Sequence, residues 1–185
     1  MSFQCVAVDD VTPQAWRNGG GQTRELLAWP DAVDWSVRIS LADIEGDGPF
    51  SPFPGVQRWF AVVQGAGVQL RFADATRDID LTDEPSCFDG ALAPACAMRQ
   101  GPTRDLNLML RGVAGHMRRI RGALSCDLGA QVLVAVYPVS ATADIQYDDE
   151  AALTVPLGAM AWRCLPSAGR VRVESMDALW LEATV

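Results

Sequence analysis

The chain has 185 residues, 49% of them hydrophobic, enough to build a proper core in one large domain or two small ones. Its formal charge of −8 and isoelectric point near 4.5 repel phosphate backbones, so nucleic acid is excluded as an expected partner. All 15 basic residues are arginines, which leaves no lysine for Schiff-base or lysine-base chemistry.

The N-terminal Met1-Ser2-Phe3-Gln4-Cys5 lacks a basic segment and runs into Asp9-Asp10, so no secretory signal is expected. The longest apolar run, Val132 to Val139, is far short of the ~20 residues that cross a bilayer, and no membrane association is expected. Cys5, Cys87, Cys96, Cys126 and Cys164 are odd in number and show no CxxC spacing; they read as reduced, mostly buried thiols of a cytoplasmic protein.

In chain order, the first distinctive stretch is Trp16-Arg17-Asn18-Gly19-Gly20-Gly21-Gln22-Thr23-Arg24-Glu25. Three successive glycines lose much backbone freedom on folding, so backbone here must bend tightly or approach another group closely. From Asp34 to Leu41, Trp35, Val37, Ile39 and Leu41 alternate with Ser36, Arg38 and Ser40, which predicts a half-buried strand with Trp35 on its core face. Gln57–Gln64 and Val68–Phe72, joined by Gly65-Ala66-Gly67, predict a hairpin. Ile79 and Leu81 mark a further strand, and Leu106, Leu108 and Leu110 alternate with Asn107 and Met109. The Arg- and Gly-rich span 111–122 is expected to join two β modules, with Arg111, Arg118, Arg119 and Arg121 on solvated surface. Strands are then predicted at 131–137, 143–147, 161–164, 170–174 and 178–183. Ten or more short strands with scarce helical periodicity predict an all-β sandwich or barrel.

The glycine stretch, followed by Asp34-Trp35-Ser36-Val37-Arg38-Ile39-Ser40, by the segment from Asp47-Gly48-Pro49-Phe50 to Gln57-Arg58, and by Phe88-Asp89-Gly90, resembles the HutD/Ves family. The segment Gly101-Pro102-Thr103-Arg104-Asp105-Leu106-Asn107-Leu108-Met109 is similar to it too. The resemblance implies a cupin-like, bicupin jelly-roll β-barrel with few or no long helices. It implies one unit over 1–185, with a first half at about 1–112 and a second at about 123–185. It also implies an association with histidine utilisation or a stress response.

Metal-dependent cupin barrels assemble two or three histidines and a glutamate. This chain has one histidine, His116, among arginines that oppose a cation, and the segment Pro54-Gly55-Val56-Gln57-Arg58 stands where a His-x-His cluster is expected. No metal and no cofactor are therefore expected. A Ser-His-Asp triad is disfavoured for the same lone histidine. The glycine run lacks the Gly-Lys-Ser/Thr of a phosphate loop, and no GxGxxG opens a helix.

What remains is a set of polar residues on strands. If their polar face looks into the barrel, Asn18, Thr23, Arg24, Glu25, Arg38, Ser40, Asn107 and Met109 form a ligand-binding set. Guanidinium groups there suit a small anionic, carboxylate-bearing metabolite, because arginine binds carboxylate bidentately. No catalytic set is assigned. The expected role is a sensor or regulator of histidine utilisation, holding urocanate or a formylated or formiminated glutamate. One alternative is an enzyme using Glu25 or Asp105 as acid/base. The other is an interaction module whose barrel is plugged, with Arg38 paired to Glu25 or Asp105. A homodimer stays open.

Overall fold

The computed structural model describes residues 2–185. Among them the only helical turns are two short 3-10 turns, Val8–Asp10 and Gly90–Leu92; the rest of the regular structure is strand. The strands are β1 (Gln4–Ala7), β2 (Gln14–Ala15), β3 (Gly21–Trp29), β4 (Val37–Ile44), β5 (Gly48–Pro49), β6 (Val56–Gln64), β7 (Val68–Arg71), β8 (Thr76–Ile79) and β9 (Ser86–Asp89). They continue as β10 (Ala95–Met98), β11 (Thr103–Arg111), β12 (Gly115–Leu128), β13 (Val132–Pro138), β14 (Ala143–Tyr147), β15 (Leu153–Val155), β16 (Ala159–Cys164) and β17 (Gly169–Thr184). The chain is all-β, as its alternation predicts.

Two compact units emerge, one of Val11–Gly112 and one of Val113–Val185 with the residues up to Asp10. In the Val11–Gly112 unit, a six-stranded antiparallel sheet runs β2-β3-β4-β11-β6-β9, and a four-stranded sheet runs β5-β10-β7-β8. Strand β11 is central: Asn107 lies opposite Ser40 and Phe60, and Met109 opposite Arg38 and Arg58. Because side chains alternate along a strand, Arg38, Ser40 and Ala42 share one face with Asp105, Asn107, Met109, Arg58, Phe60 and Val62. The other face carries Val37, Ile39, Leu41, Leu106, Leu108 and Leu110, all at most 1% exposed. Phe60 and Val62 pack with Val68, Leu70, Ile79, Phe88 and Cys96, which joins the two sheets through a shared apolar cluster. The polar residues lie on the same face, with Asn107 opposite Phe60 and Asp105 opposite Val62.

Trp35 departs from its expected place. The strand begins at Val37, and Trp35 packs with Val56 and Met109 on the polar-residue face. The backbone of Ser36 is tied back to Trp29 (N to O, 2.7 Å), which breaks the alternation before the strand starts.

In the other unit the order is β1-β16-β13-β17-β14-β15, with β12 on β17. Its interior is filled by Val134, Val136, Ile145, Val173 and Trp180, all buried. The strands predicted at 170–174 and 178–183 are a single strand, β17. Its register against β12 jumps from Ser175–Gly122 to Ala178–Ile120, so Met176 and Asp177 bulge and Met176 is 78% exposed. The expected Arg-rich joint is mostly strand β12. Arg119 is not solvated: its side chain is 1% exposed and makes a two-point pair with Asp177 (2.6 and 2.9 Å). The β17 bulge places a carboxylate there, which sequence spacing alone does not show.

Candidate ligand cavity

The glycine run builds the turn between β2 and β3. The Trp16 amide donates to Gly21 O (2.9 Å), and the Gly19 amide donates to Trp16 O (3.0 Å). Gly19 has φ +72°, a left-handed conformation costly for other residues. A side chain on Gly21 would collide with the Asp43 carbonyl oxygen. Gly20 O accepts from the amides of Glu45 (2.9 Å) and Gly46 (3.0 Å), locking the turn to the end of β4. Two side chains stiffen it further. Asn18 Oδ1 accepts from the Gly20 amide (3.1 Å), and the Trp16 indole donates to Thr23 Oγ1 (2.7 Å).

This turn forms one rim of a cavity of about 660 Å³ in the Val11–Gly112 unit. Gln14, Arg17 and Asn18 stand on that rim, and the Pro49–Phe53 segment on another. The inner wall is the polar face of β4, β6 and β11: Arg38, Ser40, Ala42, Arg58, Asp105, Asn107 and Met109.

A hydrogen-bonded chain crosses this wall. Arg58 Nη2 donates to Asn107 Oδ1 (2.7 Å), and Asn107 Nδ2 donates to Asp105 Oδ2 (2.7 Å). Arg58 is 7% exposed, with its guanidinium carbon 4.7 Å from the Phe50 ring centroid and 5.4 Å from that of Phe88. Aromatic faces attract a cation but replace few of its water hydrogen bonds. Arg58 Nε and Asp105 Oδ1 are buried with no hydrogen-bond partner among the described residues. Burial, working against the nearby Asp105 charge, lowers the Arg58 pKa to about 10. Burial also pushes the Asp105 carboxyl up to about 7, against the opposing pull of Arg58 and Asn107. Arg38 reaches Glu25 (Nε to Oε2, 2.6 Å) and the Met109 sulfur (3.6 Å).

Of the residues singled out from sequence, Asn18, Thr23, Arg38, Ser40, Asn107 and Met109 line the cavity. Arg24 and Glu25 do not. Arg24 alternates onto the opposite face of β3 from Thr23 and pairs with Asp43 (2.7 Å). Burial opposes ionisation of Asp43, but hydrogen bonds from Arg104, Gln22 and Arg24 outweigh it and hold its carboxyl low. Glu25 acts through Arg38, as its counter-charge. Arg58, Phe50, Phe53 and Trp16 also line the cavity, and sequence reading did not place them in the site. The available signal for Arg58 is a lone charge opening the apolar run Trp59-Phe60-Ala61-Val62-Val63.

The donor set does not fit a divalent cation. Two guanidinium groups share the inner wall with one carboxylate, and no group of three or more His, Cys, Asp or Glu residues is poised around one point among the described residues. The wall suits an anion instead.

Two antiparallel sheets joined by an apolar cluster beside a polar-walled cavity define a cupin-like β protein. The cupin 2 conserved barrel domain protein from Leptotrichia buccalis shares this fold, with TM-score 0.60 and 11% identity over 100% of this chain and 98% of that one. The HutD family model matches residues 8–183, and the chain belongs to that family. HutD from Pseudomonas fluorescens SBW25 superposes with TM-score 0.86 at 25% identity, covering 99% of this chain and 98% of its own. Protein Ves from Citrobacter koseri is 38% identical over 98 residues, 52% of this chain and 51% of that protein. A 21.2 kDa protein of the hutC 3' region in Pseudomonas putida is 34% identical over 111 residues, 58% and 57% of the two chains. The matched segment thus spans about half the length of these curated relatives.

Proposed function

We propose that this chain binds a small carboxylate metabolite in the cavity of its Val11–Gly112 unit without converting it, and acts as a sensor or regulator in histidine utilisation. The observation that carries this reading is Arg58, a buried guanidinium facing the cavity with only a neutral amide as its hydrogen-bond acceptor. A buried charge is costly unless paired, and a ligand carboxylate supplies the pair. A volume of about 660 Å³ suits a metabolite of glutamate or urocanate size. The relative in the hutC 3' region supports the pathway, and urocanate, formylglutamate and formiminoglutamate each carry a carboxylate for a guanidinium to bind.

Arg38 and Arg58 hold the carboxylate in this reading, Asn107 keeps Arg58 aimed, and Asn18 with Thr23 shape the rim. Calorimetric titration with urocanate, formylglutamate and formiminoglutamate tests it. Saturable binding of at least one, weakened ten-fold or more by Arg38→Ala with the fold intact, is the expected result. Absence of binding by all three overturns the choice of ligand class. Turnover that Asp105→Asn removes favours an enzyme instead.

A further inference from the structure

Resting on that reading, the inner wall also carries a device for coupling the ligand to a proton. The chain Arg58–Asn107–Asp105 ends on a carboxylate that is 1% exposed, with one oxygen held by Asn107 and the other unpartnered. An ionised Asp105 is the nearest available counter-charge to Arg58 on this wall. A ligand carboxylate arriving at Arg58 competes for the same positive charge. Two carboxylates sharing one guanidinium in a buried site raise each other's proton affinity.

We propose that Asp105 is the counter-charge that the ligand displaces: when a carboxylate docks on Arg58, Asp105 takes up one proton on Oδ1, so metabolite and proton bind together. Atoms and charges balance. The proton comes from solvent, the carboxylate that docks on Arg58 brings one negative charge, and Asp105 gives one up.

The surroundings of Asp105 leave it as the group on this wall that titrates near neutrality. On β6 it faces Arg58, lowered by burial but only to about 10. From β4 it senses Asp43, held low by its arginine and glutamine partners, and the same wall carries Arg38, paired with Glu25 of β3. From β10 it interacts with Cys96, whose thiol burial pushes up to about 12. Asp105 itself is raised to about 7 by burial. Above that pH the free cavity is neutralised by its own carboxylate, and below it the cavity is cationic and open to an anion.

The test is titration with formylglutamate at pH 5.5, 7.0 and 8.5, each in two buffers of different ionisation enthalpy. The expected result is uptake of about one proton per ligand at pH 8.5 and almost none at 5.5, with affinity falling about ten-fold per pH unit above 7. Asp105→Asn, close to isosteric, binds without proton uptake and with affinity flat across this range. Arg38-dependent binding without proton uptake at pH 8.5 overturns the coupling and leaves the binding reading standing. Proton uptake that persists in Asp105→Asn assigns it to another group and also overturns the coupling. No binding of formylglutamate even at pH 5.5 overturns both for this ligand.

Discussion

Asp105 makes a prediction that needs no ligand. Its carboxyl moves from an ordinary 3.8 to about 7 on folding, with burial as the largest cause. The folded state therefore binds more protons than the unfolded chain between those two values. Stability from this group is lost as pH rises from about 4 to about 7, and is constant above. The full shift corresponds to about 4 kcal/mol, of which about 2 kcal/mol falls between pH 5.5 and 8. Asparagine at this position keeps the bond with Asn107 geometrically possible and removes the titration. Urea denaturation of wild type and Asp105→Asn, followed by tryptophan fluorescence, isolates the effect because every other group titrates alike in both. The variant should gain about 2 kcal/mol on wild type as pH goes from 5.5 to 8. Parallel stability profiles, or a gap that widens in the opposite direction, would refute the assignment of a destabilised buried carboxylate.

Two further predictions concern the scaffold. Asp177→Ala leaves Arg119, 1% exposed at its side chain, without its two-point partner, and should cost about 3 kcal/mol by thermal or chemical denaturation. Asp177→Asn, which retains one acceptor, should cost less. Gly90→Ala places a methyl 2.7 Å from Phe53 O and 2.8 Å from Val56 O, so the backbone beside the cavity rim must move, at a cost of about 2 kcal/mol or more. Gly55→Ala meets open space and only the strain of φ +75°, about 1 kcal/mol, so its denaturation midpoint should stay nearer wild type. Equal losses at the two glycines would contradict the packing argument at Gly90.

How far the sequence could be read follows from the range of the interactions involved. Alternation at Val37–Leu41 and at Leu106–Leu110 identifies β4 and β11, because a period of two is a property of the local chain. The Gly19–Gly21 run announces a tight turn for the same local reason. The short strands β2, β5 and β9 carry no such period and exist because a neighbouring strand offers hydrogen bonds. Trp35 and Arg119 mislead in the same way. Each sits where local pattern predicts one environment, and a distant partner supplies another: Met109 for the indole, Asp177 for the guanidinium.

The candidate cavity divides along the same line. Arg38, Ser40, Asn107 and Met109 stand out in sequence because they are polar or soft residues alternating with strongly apolar ones. Arg24 and Glu25 share the glycine stretch but not the cavity, since neighbours on a strand point to opposite faces and Glu25 spends its charge on Arg38. Arg58 joins the site only when β6 pairs with β11 and brings it opposite Met109.

Composition and nearest-neighbour pattern are enough for the all-β class, the main strands of the first unit and the shortage of metal ligands, while the family follows from the resemblance of particular motifs such as Trp16–Glu25. Only the tertiary structure decided that Arg58, Asn107 and Asp105 form one hydrogen-bonded chain and that Asp105 is stripped of water. Those properties depend on register between strands and on burial, which arise when segments distant along the chain come together.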